Sequence, residues 1–402
     1  MLILFFGDYW DEAYRRRQSI AIEFANLPTV SRVVYIERPI TMGSLLKKIM
    51  GRSDFKTSVR WNRILKQGIY SCREKICIFS PLIIHEKGLL NRATNSICLG
   101  LSNRYIYKLA KKYREKQIVL WISMPDVSSK LISNLKKEFN NIKIYYDISE
   151  DIQGLGSLNL NGKSAQINKI RKSEDFIVSN ADTIFINSQK YFQNSRWKNK
   201  SIYLLTNGIP EKYLNICLKE SDFRALKDIR YPIIGYTGSI HWEMDINLLE
   251  YIAKSRPMWS LVLVGSLLDY LILKRLKKQS NIHLFSEVPL KEIPAYISAF
   301  DVCINFYKQN ELNESRNSLK LLNYLALGKP IVSSNTAGAS QYADVLYLAS
   351  TPEEFLQKIE EALNEKDSDL MNKRKRIANE QSWSKKIKEV HDLMVYSFAS
   401  KP

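Results

Sequence analysis

Asn317-Ser318-Leu319-Lys320-Leu321-Leu322-Asn323-Tyr324-Leu325-Ala326-Leu327-Gly328-Lys329-Pro330-Ile331-Val332 reads as a short helix, a glycine stop and an apolar strand. Ser318 is an N-cap residue type, because a hydroxyl accepts from the orphan N–H groups of a first turn. Gly328 suits the left-handed conformation that closes a helix, and Pro330 prevents its continuation. Lys320 is out of place on dipole grounds, since helix N-termini favour anions. It fits if lysine and helix end share a bound phosphate. A solvent-facing lysine fits this stretch equally well, so the remainder of the chain has to decide between them.

The chain has 402 residues, enough for two domains with separate cores. Its hydrophobic content of 45% is ordinary for a globular protein. The opening Met1-Leu2-Ile3-Leu4-Phe5-Phe6 meets Gly7-Asp8 too soon for a signal peptide. No apolar run reaches the roughly 20 residues that span a bilayer. A cytoplasmic protein is expected. Of the five cysteines, only Cys72 and Cys77 lie close together, and no Cys/His pair follows at zinc-site spacing. All five are read as reduced structural thiols.

The formal net charge of +19 is unevenly spread. Residues 1–210 hold 34 Lys+Arg against 17 Asp+Glu, a net of +17; residues 211–402 hold 26 against 24, a net of +2. The first half is therefore expected to meet something anionic. Within it, residues 41–75 carry nine basic and two acidic side chains, and residues 87–116 carry eight and one. Both segments interleave charge with large apolar groups such as Leu46, Ile49, Trp61, Leu101 and Tyr105. Basic amphipathic helices of this kind lie in a lipid interface, so an anionic membrane surface is the expected partner.

Residues 1–6 read as a buried strand, residues 20–27 as a helix and residues 33–37 as a second strand, which makes a parallel βαβ unit. Ligands in such sheets bind beyond the carboxyl ends of the strands, where Asp8, Trp10, Arg16 and Arg17 fall. Two further strands follow, at 118–122 and 142–146. The second runs into Asp147-Ile148-Ser149-Glu150-Asp151, a strand end suited to a general base. A loop with Gly154, Gly156 and Gly162 follows, then a helix near 167–179 and a strand at 183–186. Thr206-Asn207-Gly208-Ile209-Pro210 is a turn, and a linker is expected near 208–230.

The pattern then restarts. Strands are expected at 231–236, 260–264, 282–285 and 302–306, with helices from about 245 and over 290–299. This is a second doubly wound sheet. Gly238-Ser239 after its first strand leaves backbone N–H groups open to a phosphate.

Taken in order, these pieces resemble the GT-B glycosyltransferases, especially glycosyltransferase family 4 and its bacterial exopolysaccharide relatives. The resemblance rests on Ile234-Gly235-Tyr236-Thr237-Gly238-Ser239-Ile240, on Trp259-Ser260-Leu261-Val262-Leu263-Val264-Gly265, on Asn281-Ile282-His283-Leu284-Phe285 with Val288-Pro289, and above all on residues 319–332. Weaker matches are Arg16-Arg17-Gln18, Tyr146-Asp147, Ala181-Asp182, Asn187-Ser188, Asn207-Gly208 and Ser382-Trp383. It implies an α/β chain of two Rossmann-like doubly wound domains facing across a cleft. Residues 1–208 are expected to bind the acceptor and face the membrane, and residues 209–380 to bind a nucleotide sugar. Residues 381–402 are expected to form a helix crossing back to the first domain.

The resemblance also implies roles. Gly238 and Ser239 would face the diphosphate, with Gly265, His241 and Ser318 beside them, and Lys320 would neutralise it. The backbone around Val288 would contact the base, and Asn323 the ribose. Trp10, Arg16 and Arg17 would hold the acceptor. No metal or other cofactor is implied, and Asp147, Glu150 and Asp151 lack the spacing of an Asp-x-Asp metal motif. Two departures matter. Ser315 and Asn323 stand where family 4 enzymes often carry two glutamates, and His241, Glu243 and Asp245 replace a basic pair. The missing glutamate removes the usual support for a retaining reaction. An inverting one needs a base, for which Asp147 is preferred over Asp8 and Asp151.

The expected activity is sugar transfer from a UDP- or GDP-linked donor to a lipid-linked or polysaccharide acceptor, in bacterial surface polysaccharide synthesis. The enzyme would sit peripherally on the inner face of the plasma membrane. A GT-B nucleotide-sugar epimerase has no use for the +17 half. Nucleic-acid binding is disfavoured because the basic residues follow no reading module. A catalytically dead scaffold that only binds sugar nucleotide is the remaining alternative.

Overall fold

Runs of β-branched and aromatic residues buried on both faces, as parallel sheets require, organise each half of the chain. The computed structural model describes residues 1–10, 15–53, 55–84, 89–113, 116–149, 164–193, 197, 200–214, 226–267, 269–314 and 317–399. Contacts divide it into two units. One comprises residues 1–187, 195–205 and 387–402, the other residues 188–194 and 206–386.

The strands of the first unit are β1 (Leu2–Phe6), β2 (Arg32–Ile36), β3 (Ile40–Thr41), β4 (Tyr70–Arg73), β5 (Ile76–Phe79), β6 (Leu82–Ile83), β7 (Ile118–Ile122), β8 (Ile142–Ile148), β9 (Thr183–Ile186) and β10 (Ile202–Leu204). Eight of them form one sheet in the order β10-β9-β8-β7-β1-β2-β5-β4, and β3 pairs with β6 apart from it. All neighbours in the large sheet are parallel except β4, which turns back antiparallel on β5. Trp121 on β7 centres the core, 5.2 Å from the Phe185 ring and 5.1 Å from that of Phe24.

The β4–β5 hairpin is absent from the sequence reading, which treats residues 41–75 as basic helix. It also overturns the assignment of Cys72 and Cys77 as free thiols. Antiparallel register sets the two directly opposite one another, Cα atoms 4.0 Å apart, and they form a disulfide. The basic segments supply the helices Met42–Ile49, Phe55–Gln67 and Leu89–Lys112.

The second unit carries β11 (Ile233–Thr237), β12 (Ser260–Val264), β13 (Ile282–Phe285), β14 (Val302–Asn305), β15 (Ile331–Ser334) and β16 (Tyr347–Ala349). Their order is β13-β12-β11-β14-β15-β16, and every pairing is parallel. The strand order reverses between β11 and β14, the place where doubly wound sheets bind ligands. Leu321, Leu322, Tyr324 and Leu325 bury the inner face of the helix Leu319–Ala326, which enters β15 through Gly328 at φ +67°. The helix Ser368–Glu380 covers this element. Its fully buried Arg374 donates to Val345 O at 2.9 Å and pairs with Glu365. The last helix, Trp383–Ala399, starts in the second unit, and its residues from 387 onward belong with the first. There Ser397 Oγ lies 2.6 Å from the hydroxyl of Tyr145 on β8, a phenol that burial pushes up to about 12.

A methyl group on residue 328 would meet Met371 Cγ at 2.6 Å and would force a positive φ on an L side chain. Gly328→Ala should therefore cost about 1–2 kcal/mol of unfolding free energy in urea denaturation, without changing the fold seen by circular dichroism.

Candidate functional site

The carboxyl ends of β11 and β12 meet backbone to backbone. Gly265 has φ +152°, and a Cβ on it would lie 2.1 Å from Gly238 O. Gly238, at φ +135°, donates its N–H to Val264 O at 2.9 Å. Two consecutive strand ends thus expose bare backbone, which a bulky or β-branched residue would cover. Ser239 and Ser266 continue these turns, their hydroxyl oxygens 3.1 Å apart.

Lys320 reaches over the same spot. A Cβ on Gly238 would lie 3.1 Å from Lys320 Cε. The ammonium donates to the Tyr307 hydroxyl at 2.6 Å and sits 4.7 and 4.5 Å from the ring centroids of Tyr236 and Tyr307. It pairs with no carboxylate among the described residues. Aromatic faces attract the cation only weakly and leave its charge available to a stronger anion. Lys329, nine residues later, shows what a committed lysine looks like. Its ammonium donates to Ser298 O at 2.6 Å and Phe300 O at 2.7 Å, and burial pulls its pKa down.

The N-terminus of the Leu319–Ala326 helix is uncapped. Ser318 has N-cap backbone angles, but its hydroxyl accepts from no N–H of the first turn, contrary to the expectation for an N-cap serine. The turn at 206–208 closes on this helix start instead, with Asn207 Nδ2 donating to Asn317 O at 2.8 Å. Asn323, one turn on, is partly exposed, and among the described residues its amide bonds to nothing in the protein. Tyr324 on the buried face accepts from Thr237 N–H at 2.9 Å and so ties the helix to the end of β11. Burial drives that phenol upward, so it stays neutral.

His241 Nδ1 lies 3.4 Å from a buried carboxylate oxygen of Glu243, which orients the ring beside Tyr307. Val288 is partly buried against the core under β13. Glu314 accepts from Ala337 N–H at 2.9 Å, while Ser315 falls outside the described residues. Lys320, Gly238, Ser239 and Gly265 are therefore brought together; His241 lies next to them through Tyr307.

The residues expected around the acceptor fare differently. Asp147 is 1% exposed, and its carboxylate receives Arg16 Nη2 at 2.6 Å, Arg16 Nε at 3.2 Å and Ser123 Oγ at 3.0 Å. Arg16 also donates to Asn187 Oδ1 at 3.3 Å and Leu205 O at 2.8 Å. The preferred base and one of the two arginines expected at the acceptor therefore satisfy one another inside the first unit. A carboxylate this enclosed has no oxygen to offer a substrate hydroxyl. Asp8 is the more open carboxylate, its side chain 36% exposed and 3.7 Å from Arg17 Nη1. Arg17 also donates to Ser149 Oγ at 3.1 Å. Asp151 and the glycines of its loop fall outside the described residues.

Sequence reading missed the cluster at the ends of β2 and β5. Glu37, 2% exposed, takes Arg63 Nη2 at 2.6 Å and Ser80 Oγ at 2.5 Å, with Arg60 Nη2 at 3.4 Å. Burial lowers the Arg60 pKa, which Glu37 partly restores. The backbone N–H of Trp10 donates to the other Glu37 oxygen. A carboxylate closing strand β2 was the available signal.

Residues 231–365 match the family model "Glycosyl transferases group 1". Gly238, Gly265, Lys320 and Asn323 all lie within that match. The chain carries a glycosyltransferase domain. It is 24% identical over 281 residues to the protein provisionally named teichuronic acid biosynthesis glycosyltransferase TuaH of Bacillus subtilis (strain 168), covering 66% of this chain and 68% of that one. Among solved structures, sucrose-phosphate synthase from Thermosynechococcus elongatus superposes with a TM-score of 0.69 at 14% identity over 100% of both chains. Anabaena HepE in complex with UDP and glucose gives 0.65 at 13% identity, over 98% of this chain and 100% of that one. These likenesses show that the glycosyltransferase has the GT-B fold, as the sequence pattern led one to expect.

Removing one partner of a buried ion pair leaves an uncompensated charge. Asp147→Ala should lower unfolding free energy by about 3–5 kcal/mol in urea denaturation. An unchanged midpoint would return Asp147 to the list of candidate bases.

Proposed function

We propose that this glycosyltransferase moves a sugar from a nucleoside-diphosphate sugar to a lipid-linked or polysaccharide acceptor, at an anionic membrane surface, in bacterial surface polysaccharide synthesis. The observation that carries the donor half is Lys320, a cation with no carboxylate partner among the described residues, held over two bare glycine turns beside an uncapped helix N-terminus. A diphosphate seated there gains a charge-assisted bond from Lys320 and the dipole and N–H groups of the helix. The same groups stabilise the charge that builds on the diphosphate as the sugar leaves, so they act most strongly in the transition state. Asn323 is placed one turn along to bond ribose hydroxyls, which an amide can do as donor and acceptor. The UDP and glucose in the HepE complex make UDP-glucose the first donor to test.

In the first unit, Trp10 and Arg17 remain as acceptor contacts, and Asp8 takes over from Asp147 as the base of an inverting transfer. The acceptor class rests on the TuaH likeness and on the basic helices. Met42, Leu46, Ile49 and Met50 recur at helical spacing along the helix Met42–Ile49 and its C-cap, and all four are exposed. Leu46 is 62% and Ile49 73% exposed, an arrangement that water disfavours and a lipid interface accommodates. Lys47, Lys48 and Arg52 lie beside them. No helix among the described residues is long and apolar enough to cross a membrane.

Lys320→Ala should bind UDP-glucose roughly 10- to 100-fold more weakly by calorimetry, the equivalent of about 1.5–3 kcal/mol, at unchanged melting temperature. Equal affinity would sink the diphosphate assignment. The wild-type protein should sediment with phosphatidylglycerol vesicles at low salt and be released by high salt, and a Leu46→Glu, Ile49→Glu double variant should stay in solution. Sedimentation of that variant with the vesicles would place the lipid contact elsewhere.

A further inference from the structure

Four features of the first unit form one mechanical chain, running from the exposed apolar stripe to Trp10. The exposed apolar stripe lies on the helix Met42–Ile49, which is fastened to the helix Phe55–Gln67. Trp61 Nε1 donates to Ser44 Oγ at 2.8 Å, and Ile40, Trp61 and Ile64 form a small core with Leu45 and Leu82. On its inner side the second helix presents Arg60 and Arg63 to Glu37, and on its outer side Leu65 is 62% exposed. Arg63 bridges further. Its Nη2 reaches Glu37 and Ser80, and its Nη1 donates to the backbone oxygen of Trp10 at 3.2 Å. Glu37 closes the circuit by accepting the Trp10 backbone N–H.

Both backbone groups of Trp10 are therefore held by one carboxylate–arginine pair, whose arginine is carried on the helix Phe55–Gln67. Trp10 follows the end of β1, and its ring packs edge-on against Tyr35, centroids 4.8 Å apart. A surface-bound helix pair transmits displacement through such a joint because a buried, charge-assisted network has few alternative arrangements. The helices alone are weakly tied down on their outer face: the helix Met42–Ile49 has no buried residue.

We propose that Glu37 couples membrane seating to Trp10: an anionic lipid surface under the helices Met42–Ile49 and Phe55–Gln67 immobilises them, and through Arg63 and Glu37 this steadies the backbone of Trp10. Glu37 is a positioning residue, acting on substrate through Trp10. The inference rests on the membrane reading above and adds regulation to it, in that seating on the lipid steadies Trp10 further where the acceptor resides.

Hydrogen–deuterium exchange of the peptide spanning residues 2–10 tests it, with and without phosphatidylglycerol vesicles, alongside sedimentation of the same samples. In the wild type, vesicles should slow exchange at residues 8–10 by about tenfold, a typical response of a local opening to ordering. Glu37→Gln and Arg63→Lys should sediment equally but show no slowing, because neither side chain can hold Trp10 and its partner together. Arg63→Lys keeps a positive charge opposite Glu37 and serves if Glu37→Gln folds poorly. Slowing in either folded variant equal to the wild type overturns the coupling, as does a wild type that sediments without slowing. A wild type that stays in solution overturns the membrane reading, and the coupling with it.

Discussion

Where residue 265 would begin a side chain, the carbonyl oxygen of Gly238 already stands. This contact needs a glycine at both strand ends, and the arrangement around Lys320 depends on it. It brings β11 and β12 to a common bare edge and opens the space into which Lys320 extends. Everything else near that edge supports the arrangement from below. Tyr324 ties the lysine's helix to Thr237, and Arg374 with Glu365 secures the helix Ser368–Glu380 that packs on it. Lys320 itself is held by aromatic faces and one phenol, contacts weak enough to give way to a phosphate.

The first unit is built on the opposite principle. Its strand ends carry charge, but the charge is spent internally. Arg16 and Asp147 neutralise each other, and Glu37 is shared by Arg60, Arg63 and Ser80. Buried ions are tolerated only when paired and hydrogen-bonded, so each cluster orders the loops that supply its partners. The surplus positive charge lies on the outer helices, beside exposed leucine and isoleucine. The net of +17 in residues 1–210 is therefore a property of a surface, while the strand-end clusters set loop geometry.

Much of this was legible in order of residues. Alternating strand and helix patterns placed both parallel sheets, because burial on two faces imposes continuous apolar runs. Gly328 and Pro330 mark the helix stop, and the resemblance to GT-B glycosyltransferases, not the residues alone, groups Gly238, Gly265 and Lys320. The edge hairpin β4–β5 was not legible, since short strands at a sheet edge carry little apolar periodicity and lie within a basic run. The Cys72–Cys77 disulfide depends on that hairpin's register and was lost with it.

By itself, then, the sequence determined local conformation and residue chemistry: where helices end, which strands are buried, which turns are bare and which half is basic. These follow from sterics and from burial patterns repeating over a few positions. Only the tertiary structure decided which charged groups are spent. Lys320 and Lys329 lie nine positions apart in the same motif, yet one finds carbonyl oxygens and the other aromatic rings. Asp147 has a general base's place at a strand end, yet Arg16, 131 residues away, occupies its carboxylate. A side chain's availability is set by its long-range neighbours and its exclusion from water, and neither is encoded in local spacing.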